Sequence, residues 1–313
     1  MESNTGVEKS LIGGDLPTEQ RNPKSDDLHL MNAAEILTLI ADEDLFAVLR
    51  AKSAIQTTSR LVEQTVDKIH QGGKVHYFGA GTSGRIAAQD AAELFPTFNA
   101  PAGMFQSHMA GGEPALIRAA ENAEDRFEDG AKEAEGISSL DTVVGLAASG
   151  RTPYVAGALD AAKRKGATTA LITCVDKPEI GADFVIAGDT GPEILTGSTR
   201  LKAATFQKAV LTGFSTALMV RLGRTYSNLM VSLVATNEKL HSRSLRILME
   251  GSGLDEQKAT SVLEMAGGDL RLALVSGITG VDPADAKPHL EESGGVVHLA
   301  VSSLQKQHHG GHG

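Results

Sequence analysis

Three short turns of small and hydroxylated residues constrain the fold of this chain most. Their sequences are Gly81-Thr82-Ser83-Gly84-Arg85, Ser149-Gly150-Arg151-Thr152 and Gly197-Ser198-Thr199-Arg200. The first follows the apolar run 75–79 and the second follows 142–147, and helical composition resumes after each, so both predict a strand, a loop and a helix. The third precedes a helix predicted over 202–222, with a short strand predicted over 193–196. This alternation predicts an α/β fold with a mostly parallel sheet flanked by helices.

The three turns are suited to an anionic ligand. The first backbone N–H groups of a helix have no partner within the helix, and the helix dipole places positive charge at that end. The hydroxyl groups of the turns add donors for phosphate oxygens. Because ligands of open α/β sheets bind at the carboxyl ends of the strands, we expect the turns to face one ligand there.

Gly79, Gly81 and Gly84 also satisfy the Gly-x-Gly-x-x-Gly pattern of dinucleotide-binding folds. Such a site normally has an acidic residue about 20 positions further on for the ribose hydroxyls, whereas 94–112 contains no Asp or Glu. The variable positions of the pattern are Thr82 and Ser83, whose hydroxyls favour a phosphate monoester such as a sugar phosphate. A dinucleotide site and a purely structural turn stay open as alternatives.

Composition argues against several classes of protein. A formal net charge of −10, no Trp and only three Tyr argue against a nucleic-acid surface. No uninterrupted apolar stretch reaches membrane-spanning length and 1–17 lacks the pattern of a signal peptide, so we expect a cytoplasmic protein with no membrane partner. The single cysteine, Cys174, ends the apolar run 170–174, and we interpret it as a buried strand residue rather than a nucleophile.

The chain divides by composition into four parts. A polar arm covers 1–31, and a core with N-terminal helices covers 32–240, with Asn32 as the predicted cap of the first helix. A small helical module follows over 241–300. The end, 301–313, is rich in His and Gly. Its imidazoles leave metal binding open, but we interpret it as a flexible tail and assign it no function.

Two glutamates are candidates for proton transfer. Glu93 lies near the end of the helix predicted after the first turn, where a carboxylate opposes the helix dipole. Glu124 lies in an acidic cluster on what is predicted to be the next helix, and such a cluster is also typical of a solvated surface. From the residues alone, both positions are open to a functional or a surface interpretation.

Five longer motifs resemble those of N-acetylmuramic acid 6-phosphate etherases. In family order they are GAGTSGR (79–85), AGGE (110–113), AASGRTPYV (147–155), GPEILTGSTRLK (191–202) and VATNEKLH (234–241). The resemblance extends from about Thr18 to about Val297 and implies a sugar-isomerase (SIS) domain followed by a module similar to ubiquitin-associated (UBA) domains. Asn99 stands where glycine is usual, and asparagine tolerates the left-handed backbone that such a turn requires.

The resemblance implies a carbon–oxygen lyase of cell-wall amino-sugar recycling. Such an enzyme converts N-acetylmuramic acid 6-phosphate to N-acetylglucosamine 6-phosphate and D-lactate by elimination and water addition. The resemblance assigns the acid that protonates the departing lactate to Glu93 and the base at C2 to Glu124. The reaction requires no metal or organic cofactor, and the resemblance implies a homodimer. The predicted substrate-binding residues are Gly81, Thr82, Ser83, Ser149, Gly150, Arg151, Thr152, Glu193, Ser198, Thr199 and Lys239.

Two other functions stay open. A regulator that binds a sugar phosphate without turnover, as in the related glucokinase regulatory protein, would keep Thr82, Ser83, Ser149 and Thr152 but would not need the two glutamates. A sugar-phosphate isomerase would use the same fold and related chemistry.

Overall fold

The computed structural model describes residues 16–232 and 238–310, and the chain divides into two compact units. The first unit consists of Met1–Leu61, Val75–Ala88 and Ser107–Thr212, and the second of Val62–Lys74, Gln89–Gln106 and Gly213–Gly313. No helix within the described ranges is both long and apolar enough to cross a bilayer. Most of the His-rich end lies outside the part whose side chains are described.

Helices and strands alternate through the middle of the chain, and helices alone make up its end. The α-helices are α1 (Ala33–Ser53), α2 (Ile55–His70), α3 (Gly81–Phe98), α4 (Pro114–Ile117), α5 (Phe127–Glu133), α6 (Pro153–Arg164), α7 (Lys202–Arg221), α8 (Glu238–Ser252), α9 (Glu256–Met265), α10 (Leu270–Thr279), α11 (Pro283–Glu292) and α12 (Val297–Gly310). The strands are β1 (Val75–Gly79), β2 (Phe105–Met109), β3 (Thr142–Leu146), β4 (Thr168–Thr173), β5 (Phe184–Ala187), β6 (Thr225–Tyr226) and β7 (Leu229–Met230). Short 3₁₀ turns cover Pro17–Glu19, Pro23–Ser25, Leu28–Leu30 and Ala134–Gly136.

The first five strands form one sheet in the order β2-β1-β3-β4-β5. The pairs β1–β3, β3–β4 and β4–β5 are parallel, with Val75 opposite Thr142 and Thr142 opposite Thr168. Every residue of β1, β3 and β4 is buried, so both faces of the sheet centre are covered, as is typical of parallel sheets. The predicted α/β fold is confirmed.

Local sequence signals explain where several elements begin. Asn32 caps α1 as predicted: its side chain accepts from the backbone N–H groups of Ala34 and Glu35, and the Glu35 carboxylate accepts from the Asn32 N–H. Asn99 follows α3 with a φ of 49°, the left-handed conformation expected of it. The strands predicted over 75–79 and 142–147 are present as β1 and β3.

The strand predicted over 193–196 is wrong. This segment is an irregular loop, and the Glu193 carboxylate accepts from the backbone N–H groups of Lys202 and Ala203, at 3.2 and 2.9 Å. A side chain that caps the start of α7 in this way orients the loop toward the helix rather than along the sheet edge.

The glycines of the first turn are required by close packing and by backbone conformation. A Cβ atom on Gly79 would lie 2.7 Å from the backbone nitrogen of Gly84, and Gly81 has a φ of +54°. The chain therefore passes from β1 into α3 with almost no intervening loop.

Helices α8 to α12 of the second unit share a hydrophobic core. Of the core positions predicted there, Leu254 is partly buried against the core and the others are buried: Ala259, Leu263, Leu270, Leu272 and Leu274. The prediction of a helical module with its own apolar core is confirmed for these positions.

Candidate active site

The three hydroxyl-bearing turns line one cleft of about 410 Å³ in the first unit. The lining residues from the turns are Gly81, Thr82, Ser83, Ser149, Arg151, Thr152, Gly197 and Thr199. The first two turns face the same space because they follow β1 and β3, which are parallel neighbours in the sheet. Helices α3 and α6 begin at these turns, so their N-terminal dipoles favour an anion in the cleft.

Three of the predicted binding residues that the structure describes, Gly150, Ser198 and Glu193, do not line the cleft. Gly150 is buried with a φ of +68°, and its carbonyl accepts from the N–H groups of two later residues, so it shapes the second turn. Ser198 is half-buried beside Thr199. Glu193 is buried with both carboxylate oxygens bonded to the start of α7, and burial raises its pKa despite those bonds. Lys239 belongs to α8, but its side chain lies outside the described part of the chain.

Ser83 is buried and hydrogen-bonded to a residue that does not line the cleft. It is only 9% exposed, and its Oγ donates to Oε1 of Gln207, at a distance of 2.8 Å. Gln207 lies on α7 and is 1% exposed. The first turn is therefore fixed to α7 through this hydrogen bond.

The arginines of the first two turns have different contacts. The guanidinium of Arg85 donates to the carbonyls of Ala115 and Leu116, at 2.8 and 3.0 Å, and so holds α4 beside α3. Arg151 lines the cleft and pairs with Glu179 at 2.9 Å. Of these two, only Arg151 is placed to meet a ligand in the cleft.

Glu124 lies on the loop between α4 and α5, so the prediction that it belongs to a helix is wrong. Nearby Asn122 has a φ of 59°, a conformation that does not continue an α-helix. The Glu124 side chain is exposed and lines both the cleft and an adjoining cavity of about 390 Å³. Its backbone carbonyl accepts from the N–H of Tyr154 at 3.0 Å, which fixes the loop to the start of α6.

Glu93 lies well away from the first turn along the same helix. It follows Gly81 by twelve residues, which is about 18 Å along α3. Its side chain is exposed, and it lines neither the cleft nor the adjoining cavity. Of the two glutamates, Glu124 lines the cleft of the first unit, and Glu93 belongs to the second unit.

A partly exposed polar cluster lies next to the residue that anchors the Glu124 loop, Tyr154. The Tyr154 hydroxyl donates to Glu133 at 2.7 Å, and His108 contacts the same carboxylate at 3.6 Å. Burial alone would raise the pKa of Glu133, but the hydrogen bonds from His108 and Tyr154 lower it below its usual value. Burial and the bond to Glu133 raise the pKa of Tyr154.

Cys174 is buried, as predicted, but it follows the end of β4 rather than lying in the strand, and its Sγ contacts the carbonyl of Ala203 at 3.5 Å. Burial raises the pKa of this thiol, so it is protonated at neutral pH. Within residues 16–232 and 238–310, no group of three or more His, Cys, Asp or Glu side chains is arranged to hold a metal ion.

The polar arm contributes to the site in a way that composition did not predict. Glu19 lines the cleft, and its Oε2 would lie 3.1 Å from a Cβ atom placed on Gly197. Thr18 and Asn22 are buried, so this part of the arm packs rather than extends. The only sequence signal for Glu19 was its place next to Thr18, where the resemblance to the etherases begins.

One buried carboxylate holds the arm, α1 and α7 together. Glu43 accepts from Asn22 at 3.2 Å and from Lys24 at 2.8 Å, and it also forms an ion pair with the Lys202 ammonium. The side chains of Glu43 and Lys202 are 6% and 3% exposed, whereas that of Lys24 is 66% exposed. The third turn, just before Lys202, is thereby positioned relative to the arm.

Comparisons with known proteins agree with this architecture. The family model described as "Glucokinase regulatory protein N-terminal SIS domain" matches residues 57–163. A protein of Thermobifida fusca named N-acetylmuramic acid 6-phosphate etherase is 48% identical over 265 residues, which cover 84% of this chain and 87% of that protein. A protein of the same name from a Nostoc species is 44% identical over 298 residues, covering 94% and 97%.

A solved structure shows the same fold at much lower identity. The phosphoheptose isomerase from Francisella tularensis is 16% identical, with a TM-score of 0.50 over 61% of this chain and all of that one. At this identity the likeness concerns the fold of the sheet and its helices.

Proposed function

This chain belongs to the N-acetylmuramic acid 6-phosphate etherase family, and from that membership we propose that it converts N-acetylmuramic acid 6-phosphate to N-acetylglucosamine 6-phosphate and D-lactate. One observation carries the proposal for this particular chain: hydroxyls from three turns and the carboxylate of Glu124 line the same cleft. We place the reaction in the cytoplasm, as part of amino-sugar recycling.

The turns bind the 6-phosphate in this proposal. Thr82, Ser83, Ser149 and Thr152 supply hydroxyl donors, and the N–H groups at the start of α3 supply backbone donors. Hydrogen bonds to a charged group are stronger than those between neutral groups, so the phosphate fixes the position of the sugar. Arg151 adds positive charge at the edge of the cleft.

The carbon–oxygen bond breaks by elimination. In the open-chain sugar the C1 aldehyde acidifies the C2 hydrogen, and Glu124 removes that proton. The electron pair is first held as an enolate shared with the C1 oxygen. It then forms a C2–C3 double bond and restores the aldehyde as the C3–oxygen bond breaks, and an acid protonates the departing lactate. Water then adds across the double bond, its oxygen to C3 and a proton to C2, so the net reaction consumes one water molecule.

We assign the acid to Glu93, as the family resemblance implies. About 18 Å along α3 from Gly81, this carboxylate is too far from the first turn for a hexose phosphate bound there to reach it. We therefore propose a homodimer in which Glu93 of the partner subunit protonates the lactate that leaves from this chain's cleft. Such an arrangement needs both chains for each site.

Assay of the purified protein tests the function. We expect D-lactate release from N-acetylmuramic acid 6-phosphate and far less from the unphosphorylated sugar. Binding of the phosphorylated sugar without lactate release would instead indicate a regulator.

Exchange of the C2 hydrogen with deuterated solvent separates the two glutamates. Glu93→Gln is expected to stop lactate release while exchange continues, because proton removal at C2 precedes departure of the leaving group. Glu124→Gln is expected to slow both. Lactate release by Glu93→Gln at the wild-type rate would contradict the assignment of the acid, and exchange lost only in that variant would reverse the two roles.

A further inference from the structure

Gln207 contacts the first turn from outside the cleft. Its Oε1 accepts the Ser83 hydroxyl proton at 2.8 Å, and both side chains are buried. The other half of the same amide, Nε2, is also buried and has no hydrogen-bond partner among residues 16–232 and 238–310. A buried amide donor without a partner is unfavourable, so an orientation of the amide in which Nε2 has an acceptor would remove this cost.

The direction of the Ser83 proton decides what the cleft presents to an anion. A hydroxyl has one proton and two lone pairs. With the proton donated to Gln207, the lone pairs of Ser83 are what remains for the cleft, and they repel a phosphate oxygen. To donate to phosphate, Ser83 has to release Oε1 of Gln207 as its acceptor.

Rotation of the Gln207 carboxamide provides that release. Turning the amide by half a revolution about its last bond exchanges two groups of nearly equal size and places Nε2 against Ser83 Oγ. In this orientation Nε2 donates a hydrogen bond to Ser83 Oγ and so replaces the bond that Ser83 made to Oε1. The Ser83 hydroxyl proton is then available to the anion. Hydrogen bonds that run in one direction along such a chain strengthen one another.

We propose that Gln207 is a positioning residue that sets the direction of the Ser83 hydroxyl proton, with its Nε2 donating to Ser83 when an anion occupies the cleft. This inference rests on the proposed function, in which the first turn binds the substrate phosphate. Gln207 itself acts only through Ser83 and is not among the residues that line the cleft.

Two substitutions distinguish this role from simple packing. Gln207→Glu keeps the size and shape of the side chain, but an ionised carboxylate only accepts hydrogen bonds and holds the Ser83 proton away from the cleft. Gln207→Met keeps the length and removes the polar group. If Gln207 only packs, Gln207→Glu should bind an anion more like wild type than Gln207→Met does. If Gln207 sets the direction of the Ser83 proton, Gln207→Met should be the variant closer to wild type.

Calorimetric titration with sulfate measures the effect, because sulfate remains a dianion across the useful pH range. We expect Gln207→Glu to bind sulfate roughly 10- to 100-fold more weakly than wild type near neutral pH, and Gln207→Met only about threefold more weakly. Lowering the pH should restore binding by Gln207→Glu, since a protonated carboxyl can donate to Ser83. Gln56→Glu, an exposed position on α2 of the same unit, controls for the added charge and should match wild type.

The opposite order of the two variants, or a loss in Gln207→Glu that does not depend on pH, would overturn the proposal. If Gln207→Glu does not fold, a cycle of Ser83→Ala and Gln207→Met replaces it: the Ser83 change should cost at least about threefold less in the Gln207→Met background, and additive effects would count against the role. A wild-type protein that binds no sulfate also overturns it. Lactate release is measured separately, so normal sulfate binding without lactate release contradicts only the etherase assignment.

Discussion

At the scale of single residues, the pKa of the buried Glu43 carboxyl depends on its hydrogen-bond partners. Burial alone would raise its pKa, but hydrogen bonds from Lys202 and Lys24 lower it. We expect Lys202→Met to reduce the free energy of unfolding by about 3–5 kcal/mol, because it leaves a buried carboxylate with too few partners. Lys24→Met removes the exposed partner of the same carboxylate and should cost less than about 1 kcal/mol. Urea denaturation at neutral pH compares the two variants.

The same pair predicts how stability depends on pH. The Glu43 pKa lies below its usual 4.5 in the folded protein, so the ionised pair stabilises the fold fully above about that pH. As the pH falls through the folded-state pKa, the contribution is lost. The difference between wild type and Lys202→Met should therefore shrink in acid, and a difference that is constant from neutral to acid pH would contradict this account.

Tyr154 offers a second test at this scale. Tyr154→Phe removes the hydroxyl that donates to Glu133, and we expect the free energy of unfolding to fall by about 1 kcal/mol, since the Glu133 side chain is 38% exposed and water can replace part of the lost bond. The loss should also shrink below the usual pKa of 4.5, because Glu133 has a lowered pKa when folded. Tyr226→Phe on β6 is the matched control. Equal losses in the two variants would argue against a specific role for the bond to Glu133.

Ser83→Ala and Ser149→Ala test the binding of phosphate itself. Each removes one hydroxyl from the cleft, and hydrogen bonds to charged groups are worth about 1.5–3 kcal/mol, so the specificity constant should fall by roughly 10- to 100-fold. The measurement is lactate release as a function of substrate concentration. If the variants act like wild type on the phosphorylated sugar and accept the unphosphorylated sugar equally well, the proposal that the first two turns bind the phosphate is wrong.

At the scale of elements, α5 and α6 pack closely enough to require glycine on both helices. A Cβ atom on Gly130 would lie 1.9 Å from the Tyr154 carbonyl oxygen, and one on Gly157 would lie 2.0 Å from that of Phe127. We expect Gly130→Ala to destabilise the protein by about 1–3 kcal/mol, because the backbones of α5 and α6 have to move apart. Gly136→Ala, where a Cβ atom meets nothing within 4 Å, should change stability little. Thermal denaturation of the two variants gives the comparison.

Elements with strong local signals were predictable from the sequence, and side chains that act across the fold were not. The apolar runs of β1 and β3 and the cap at Asn32 are local, so their positions follow from a few adjacent residues. The loop at Glu193 depends on a carboxylate that bonds to residues nine and ten positions later. Gln207 reaches a serine 124 positions away, and no spacing rule indicates such a contact. The predicted division between core and helical module at 240 stays a prediction.

At the scale of the whole molecule, the proposed assignment of the acid to Glu93 predicts that the protein works as a homodimer. Sedimentation at assay concentration should show a dimer, and a fully active monomer would exclude a shared site. Mixing inactive Glu93→Gln and Glu124→Gln proteins provides a sharper test. If each site takes one glutamate from each chain, random pairing should restore about a quarter of wild-type activity, because half of the dimers are mixed and each has one complete site. No activity in the mixture would place both glutamates in one chain.

The ion pair between Glu43 and Lys202 also has a consequence for the order of events during synthesis. Its two residues are separated by 159 positions, so the ribosome delivers the lysine long after the glutamate. At roughly 5–20 residues per second, the carboxylate waits on the order of 10 to 30 s for this partner. For a comparable interval after they emerge from the ribosome, the arm and α1 lack the helix that completes their packing. Slow translation of the stretch before Lys202 would lengthen this interval.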